Sequence, residues 1–345
     1  HPSDDDPEWA SLAAQWLPSV RRIIAEPDGQ PLPFADVLEA RPAGDFPFPD
    51  IKDRGDIVAL ASCMLASGAG LHLTGDGGDE VLGASQAYMH DLVRSRPWAG
   101  LSHMRGYHAL RRWPWSQQLK FVAGRGDYAS WLRQRAEHLA EREVAELKHD
   151  AWGPRFHLPS WTTAAAGEAA RQIVLNMAQT ARSLGGSVGE HGALAAVIQS
   201  GQVMRGVGQF ATAAGLPLAT PFLDDAVVDA CLSVRQEERR SPWRYKRLLT
   251  TAMAGVVPAA ILSRTTKAET TSLVHRGFDT HRDKLLALTD GSKLADRGLI
   301  DTGQLRAQLS GLCTTDDVRA LTRTAGVERW LRDLHEHPFS VLNDH

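Results

Sequence analysis

Residues Leu71–Gly83 read LHLTGDGGDEVLG. An apolar run, Leu71-His72-Leu73, leads into a turn carrying Gly75, Gly77 and Gly78, and the apolar pair Val81-Leu82 follows two acids, Asp79 and Glu80. The pattern predicts a strand over Leu71–Thr74, a loop, and a helix from about Glu80 to Val93. Glycines accept backbone angles closed to other residues, so Gly75, Gly77 and Gly78 can turn several N–H groups toward one bound group. The positive end of a helix starting near Asp79 suits a phosphate or pyrophosphate. Asp76, Asp79 and Glu80 would repel such an anion unless a cation stood between them, and Mg2+ bridging carboxylate and phosphate oxygens meets that need. The same spacing also suits a solvated Asp/Gly turn between strand and helix.

Working outward, the 345 residues are 43% hydrophobic and 23% charged, with a formal net charge of -3. That balance gives no global basic field, so a general nucleic-acid binder is not expected. No apolar run approaches the roughly 20 residues that cross a bilayer, and the acidic start HPSDDDPEWA is no signal peptide. Cys63, Cys231 and Cys313 stand apart without a CxxC pair, which fits buried thiols in a reducing cytoplasm. Six of the ten tryptophans fall between Trp98 and Trp161, as an aromatic core or as a surface for a peptide.

Upstream of the loop, Pro7–Trp16 is expected to be a helix with Asp6 as its cap, and Val20–Ala25 a short strand. Strand and helix alternation implies a parallel sheet with ligand loops at the carboxyl ends of its strands. Glu26–Asp50 carries six prolines and reads as a loop meandering over that sheet. Residues 53–67 read as a buried helix stopped by Gly68 and Gly70. Downstream, helices are expected over Tyr128–His149, Glu168–Ser183, Ala193 to about Phe210, Pro221–Val234 and Tyr245–Met253, with only short helices beyond Asp279. The basic stretch Arg94–Arg112 reads as a solvated helical face or as a patch for negative charge. LGGSVGEHG at 184–192 reads as a plain helix connection. Phe222 and Leu223 are expected in the core, and Asp224 as a helix cap.

Four blocks, TGDGGDEVLG at 74–83, TPFLDDAVV at 220–228, WRYKRLLTTAM at 243–253 and LSRTTKAE at 262–269, resemble in order and spacing the synthetase domain of the asparagine synthetase family. Within it the phrases HLTGDGGDE, RGYHALRRWPW, SPWRYKRLL and SRTTKAE most resemble lasso peptide cyclases, the macrolactam synthetases. The resemblance implies an α/β fold: a parallel-sheet, pyrophosphatase-loop domain like the adenine nucleotide alpha hydrolases, with a largely helical C-terminal half. One synthetase domain would cover 1–345, its nucleotide-binding α/β part at 1–95 and its mainly helical part at 96–345. The family's N-terminal domain and its Ser-Gly-Gly-x-Asp-Ser pyrophosphate loop do not occur in these residues, and that loop is expected upstream of His1.

The activity implied is carboxylate activation by ATP with Mg2+. An acyl-adenylate forms with loss of pyrophosphate, and an amine displaces AMP to give an amide. In the cyclases the carboxylate is an Asp or Glu side chain of a leaderless core peptide, and the amine is that peptide's N-terminus. A leader peptidase and a precursor-recognition protein are the implied partners. By position, Asp79 matches a Mg2+ ligand, and Thr74 and Gly75 match nucleotide contacts. Gly77 and Gly78 belong to the same nucleotide loop. Asp76 stands where relatives carry a group that handles the amine's proton, or else is a turn carboxylate. Lys267 matches a lysine that stabilises the adenylate phosphate and the developing oxyanion. Lys246 and Arg205 are further basic positions for phosphate or fold. Around Lys267-Ala268-Glu269-Thr270 the family's glycine and aromatic are missing, which leaves the local substrate fit open. An asparagine or β-lactam synthetase-like enzyme with a small substrate, and a non-catalytic scaffold that grips a peptidase or precursor, remain alternatives.

Overall fold

The structure is a computed structural model that describes residues 5–24, 29–124, 126–139, 149–150, 152–154, 156–266 and 271–336. Helix α1 (Asp6–Gln15) starts where proline at the first turn costs no hydrogen bond, and its cap is Asp5 rather than Asp6. Asp5 Oδ2 accepts the Trp9 indole N–H at 2.9 Å instead of capping a backbone N–H. No strand follows over residues 20–24: Val20, Ile23 and Ile24 are each at least half exposed. A β-branched run is a strand only where another strand offers it hydrogen bonds, and Ala25 lies outside the described residues.

The proline-rich segment is irregular as expected, but it does not lie over a sheet. Phe34 and Val37 are fully buried in a core shared with Trp161 and with Phe278, Leu309 and Leu321 of the C-terminal third. Helix α2 (Arg54–Ala66) ends at Gly68, whose φ of 86° no β-branched or bulky residue adopts easily. It is more exposed than its apolar sequence suggests, with Leu60 and Leu65 open to solvent and only Arg54 and Ala61 buried.

Strand β1 (His72–Leu73) leads into α3 (Gly78–Leu82), which stops at Gly83. The single helix expected over Glu80–Val93 is therefore broken, and α4 (Tyr88–Ser95) resumes it. A Cβ on Gly83 would lie 2.5 Å from the carbonyl oxygen of Asp79, so only glycine passes that corner. Helices α5 (Pro97–Arg111), α6 (Trp115–Ala123) and α7 (Tyr128–Glu137) follow. Residues 140–148 of the helix expected to reach His149 lie outside the described residues. Two-residue strands β2 (His149–Asp150) and β3 (Gly153–Pro154) pair antiparallel.

Helix α8 (Ala164–Thr180) precedes α9 (Val188–Ala213), whose 26 residues run past both β1's loop and α4. Strand β4 (Leu218–Ala219) pairs parallel to β1, His72 opposite Leu218 and Leu73 opposite Ala219. Helix α10 (Asp225–Leu232) is capped by Asp224, whose Oδ1 accepts the Ala226 N–H at 3.0 Å. Short helices α11 (Gln236–Arg239), α12 (Arg247–Ala252) and α13 (Ala259–Leu262) lead to the C-terminal group of α14 (Thr271–Thr280), α15 (Arg282–Ala287), α16 (Lys293–Asp296), α17 (Thr302–Ser310) and α18 (Thr315–Glu336). At 22 residues α18 contradicts the expectation of short helices only. The fold is thus a mixed, mainly helical one around a small parallel sheet.

Charge holds the C-terminal group to the rest. Buried Arg54 donates to Asp36 Oδ2 at 2.9 Å and stands 3.5 Å from Asp333 Oδ2 on α18, and Asp333 Oδ1 accepts the Arg41 N–H at 3.1 Å and Arg329 Nε at 2.9 Å. Glu328 on the same helix is 3% exposed and takes four donors: Ser292 Oγ, the N–H groups of Lys293 and Leu294, and Arg332 Nε, at 2.7–3.0 Å. Burial pushes its carboxyl up, but the hydrogen bonds from Arg332, Lys293, Leu294 and Ser292 together hold it below the ordinary glutamate value. A depressed folded value means stabilisation present above the unfolded pKa of about 4.3 and lost as pH falls from there through the lower folded value. Glu328→Gln is expected to cost about 1–3 kcal/mol at neutral pH, because an amide N–H2 must then face donors. In urea unfolding the gap from wild type should close below about pH 4; a pH-independent gap would rule out the carboxylate as its cause.

Candidate functional site

The acidic loop is shaped from below by Phe222 and Leu223. Gly77 has φ 84°, and a Cβ there would lie 2.5 Å from Leu223 Cγ; a Cβ on Gly78 would meet the Phe222 ring at 3.2 Å. These two side chains join Val81, Leu82 and Cys231 in an apolar cluster, so the loop rests on the β4–α10 connection. Gly77→Ala adds both a left-handed backbone cost and a clash, together about 1–3 kcal/mol. It is expected to lower thermal stability and to weaken nucleotide binding, whereas Gly75→Ala, with open space around it, should be mild. Equal melting temperatures for the two variants would contradict this support for the loop.

Above the loop lies a cleft of about 820 Å³. Gly75, Asp76, Gly77, Asp79 and Glu80 form one side, α9 contributes Gln199 and Ser200, and Tyr245, Lys246 and Thr250 face them. Lys246 Nζ stands 2.7 Å from Asp79 Oδ1. That lysine is itself in the left-handed region, at φ 42° and ψ 49°, just before α12 begins. Such a backbone costs energy in a non-glycine residue and is found where the surroundings enforce it, often at functional sites.

Gly75, Asp76, Gly77, Asp79 and Lys246 line the cleft. Thr74 lies at the end of β1, its N–H bonded to Ala219 O at 3.1 Å and its hydroxyl donating to Asp76 Oδ2. Gly78 is buried beneath the loop. Lys267 lies outside the described residues, but Arg264 and Thr266 just before it reach the cleft. Arg205 is paired with Asp45 on the proline-rich segment.

Two features escaped the sequence reading. Arg264 pairs with Asp5 at 2.9 Å and with Asp6, and Thr266 donates to Asp5, clasping α1 to the segment that leads to Lys267. The Thr266 hydroxyl first, with the Trp9 indole and Arg264, holds the Asp5 carboxyl below its ordinary value. The second is a neighbouring chamber of about 750 Å³ that shares Asp79, Glu80, Ala196 and Gln199 with the cleft. Its walls include Tyr128, Trp131, Trp152, Phe156 and His191. The stretch 184–192 read as a plain connection instead contains the start of α9, with Ser187 accepting the Glu190 N–H at 3.2 Å and Glu190 Oε2 accepting the Gly186 N–H at 2.7 Å. The Ser-x-x-Glu pattern at 187–190 was the signal that could have found it. Among the described residues, no group of three or more His, Cys, Asp and Glu side chains is clustered for a metal, and no helix is long and apolar enough to cross a membrane.

A glycine loop at a strand end, a carboxylate paired with a lysine, and two cavities that share lining residues make up the candidate site. The family model described as asparagine synthase matches residues 1–332, and the chain belongs to the asparagine synthase family. That family places the protein among ATP-dependent, amide-bond-forming ligases. No match is found among curated proteins.

Proposed function

We propose that the protein is a macrolactam synthetase of the lasso peptide cyclase kind. It adenylates an Asp or Glu side chain of a leaderless core peptide and joins that carboxyl to the peptide's N-terminal amine, releasing pyrophosphate and AMP. The observation that supports this over a small-substrate amide synthetase is the second chamber. Ammonia or a free amino acid needs no aromatic cavity of about 750 Å³ opening beside the acidic loop, whereas a folded-back peptide does.

The donor set fits Mg2+, a hard cation that takes one or two carboxylates and substrate phosphate oxygens. Asp79, beside Glu80, would hold it, and when bound it supplies charge neutralisation for the departing pyrophosphate. Lys246 at the same carboxylate adds positive charge to the phosphate side of the cleft. Lys267 is proposed to stabilise the adenylate and the oxyanion that develops at the acyl carbon. The attacking ammonium must shed a proton before its nitrogen lone pair can form the amide, and Asp76 is the carboxylate proposed to take it. A leader peptidase and a precursor-recognition protein are the proposed partners.

The test supplies ATP and Mg2+ with either a leaderless core peptide or aspartate plus ammonia. AMP release with loss of one water from the peptide is the expected result. Free asparagine would replace this reading with the small-substrate one, and no AMP from either would favour the scaffold.

A further inference from the structure

The ring-lined chamber has a more specific chemistry than its volume. Tyr128 stacks on Trp131 at 5.6 Å and 18°, and Trp131 meets Phe156 edge-on at 5.8 Å. Tyr128 also lies 5.8 Å from Trp152, and the His191 ring lies 4.4 Å from Tyr128 and 5.5 Å from Trp152. Three separate parts of the chain, α7, the β2–β3 hairpin region and α9, thus supply one continuous aromatic wall. Glycine at 192 permits this: a Cβ there would lie 2.7 Å from Ser85 Oγ, so α9 sits against the segment that forms another side of the chamber.

The polar groups in this wall are donors. His191 is 4% exposed, and its Nδ1 accepts the Leu184 N–H at 3.1 Å, so the neutral ring carries its proton on Nε2. Among the described residues Nε2 has no hydrogen-bond partner. Burial keeps the ring neutral by lowering its pKa. Arg240 donates to Ala84 O at 2.7 Å and has no carboxylate partner among the described residues. The Trp152 indole N–H is already taken by Gly126 O at 3.2 Å. An aromatic wall with unspent donors, meeting carboxylates only where the chamber joins the cleft at Asp79 and Glu80, suits an apolar ring attached to carbonyl groups, which is an aromatic residue in a peptide.

We infer that this chamber binds an aromatic side chain of the acyl-donor peptide next to the carboxylate being activated, with the His191 Nε2–H donating to a backbone carbonyl of that segment. This rests on the peptide reading of the function, and it makes Tyr128 and Trp152 specificity-determining residues and His191 a binding residue for the peptide backbone.

The full chain is titrated calorimetrically with two acetylated, amidated short peptides that share an Asp and differ only in whether Phe or Ala follows it. Wild type is expected to bind the Phe peptide on the order of 10-fold more tightly. Tyr128→Ala or Trp152→Leu should erase the preference; two such changes guard against one that fails to fold. His191→Phe, which keeps a ring but removes the donor, should weaken both peptides several-fold and leave the preference intact. Equal binding of the two peptides by wild type overturns the inference, as does displacement of the Phe peptide by adenosine, and unchanged affinities in His191→Phe overturn the assigned donor. The two readings separate cleanly. Ring closure without a Phe preference defeats only the chamber assignment, and a Phe preference in an enzyme that makes free asparagine defeats only the cyclase.

Discussion

Asp79→Ala is expected to lower Mg2+-dependent AMP release from ATP and the leaderless peptide by about 10²–10³, equivalent to about 2.7–4 kcal/mol of transition-state stabilisation. The side chain stands at the head of α3 and on the cleft wall, 2.7 Å from Lys246 Nζ. Its loss takes away the proposed cation ligand and leaves Lys246 without that partner. The folded state should be nearly indifferent. The Asp79 side chain is 44% exposed, and exposed ion pairs contribute only about 0–1 kcal/mol. Circular dichroism and melting temperature should therefore stay close to wild type while the rate collapses. A rate within about threefold of wild type would remove Asp79 from the catalytic assignment.

Lys246→Met is the second large effect, a fall of about 10² in the same assay. Methionine keeps the length and the apolar stem and removes only the charge. The magnitude follows from the charge that develops on the phosphates as pyrophosphate leaves, which a lysine fixed in a half-enclosed cleft can stabilise more strongly than water does. Its fixed place is a tertiary product: the left-handed backbone at φ 42° sets the lysine at the start of α12, opposite the acidic loop. The double variant decides how the two residues work. If Lys246 acts only through Asp79, adding Lys246→Met to Asp79→Ala costs little more. If each acts on the phosphates separately, the losses multiply, and the double variant falls by about 10⁴ or more.

The helix calls for no partner to be read where its signals are local. Pro7 opening α1, Gly68 closing α2, and Asp224 capping α10 all act within one turn, so the residues alone declare them. Long-range features were not readable in this way. The broken helix after Leu82 depends on Gly83 passing against Asp79 O, and the burial of Phe34 and Val37 depends on α14 and α18 lying beneath them. The chamber shows both sides. A tryptophan-rich region was visible as a possible peptide surface, and Trp131 and Trp152 do line a cavity. Trp161, by contrast, is 1% exposed in the C-terminal core, and Trp98 is 84% exposed.

What the sequence alone determined is the chemistry of residues 74–80: three glycines that free backbone N–H groups, and carboxylates that require a positive partner, placed between an apolar strand and a helix. Its partners were decided by the tertiary structure. Lys246 meets Asp79, Leu223 lies where a side chain on Gly77 would be, and His191 joins rings from α7 and the hairpin, because β1 pairs with a strand far along the chain and α9 crosses both sites. The physical reason is range. Backbone angles and charge are properties of a residue, whereas a cavity wall belongs to elements that only packing brings together.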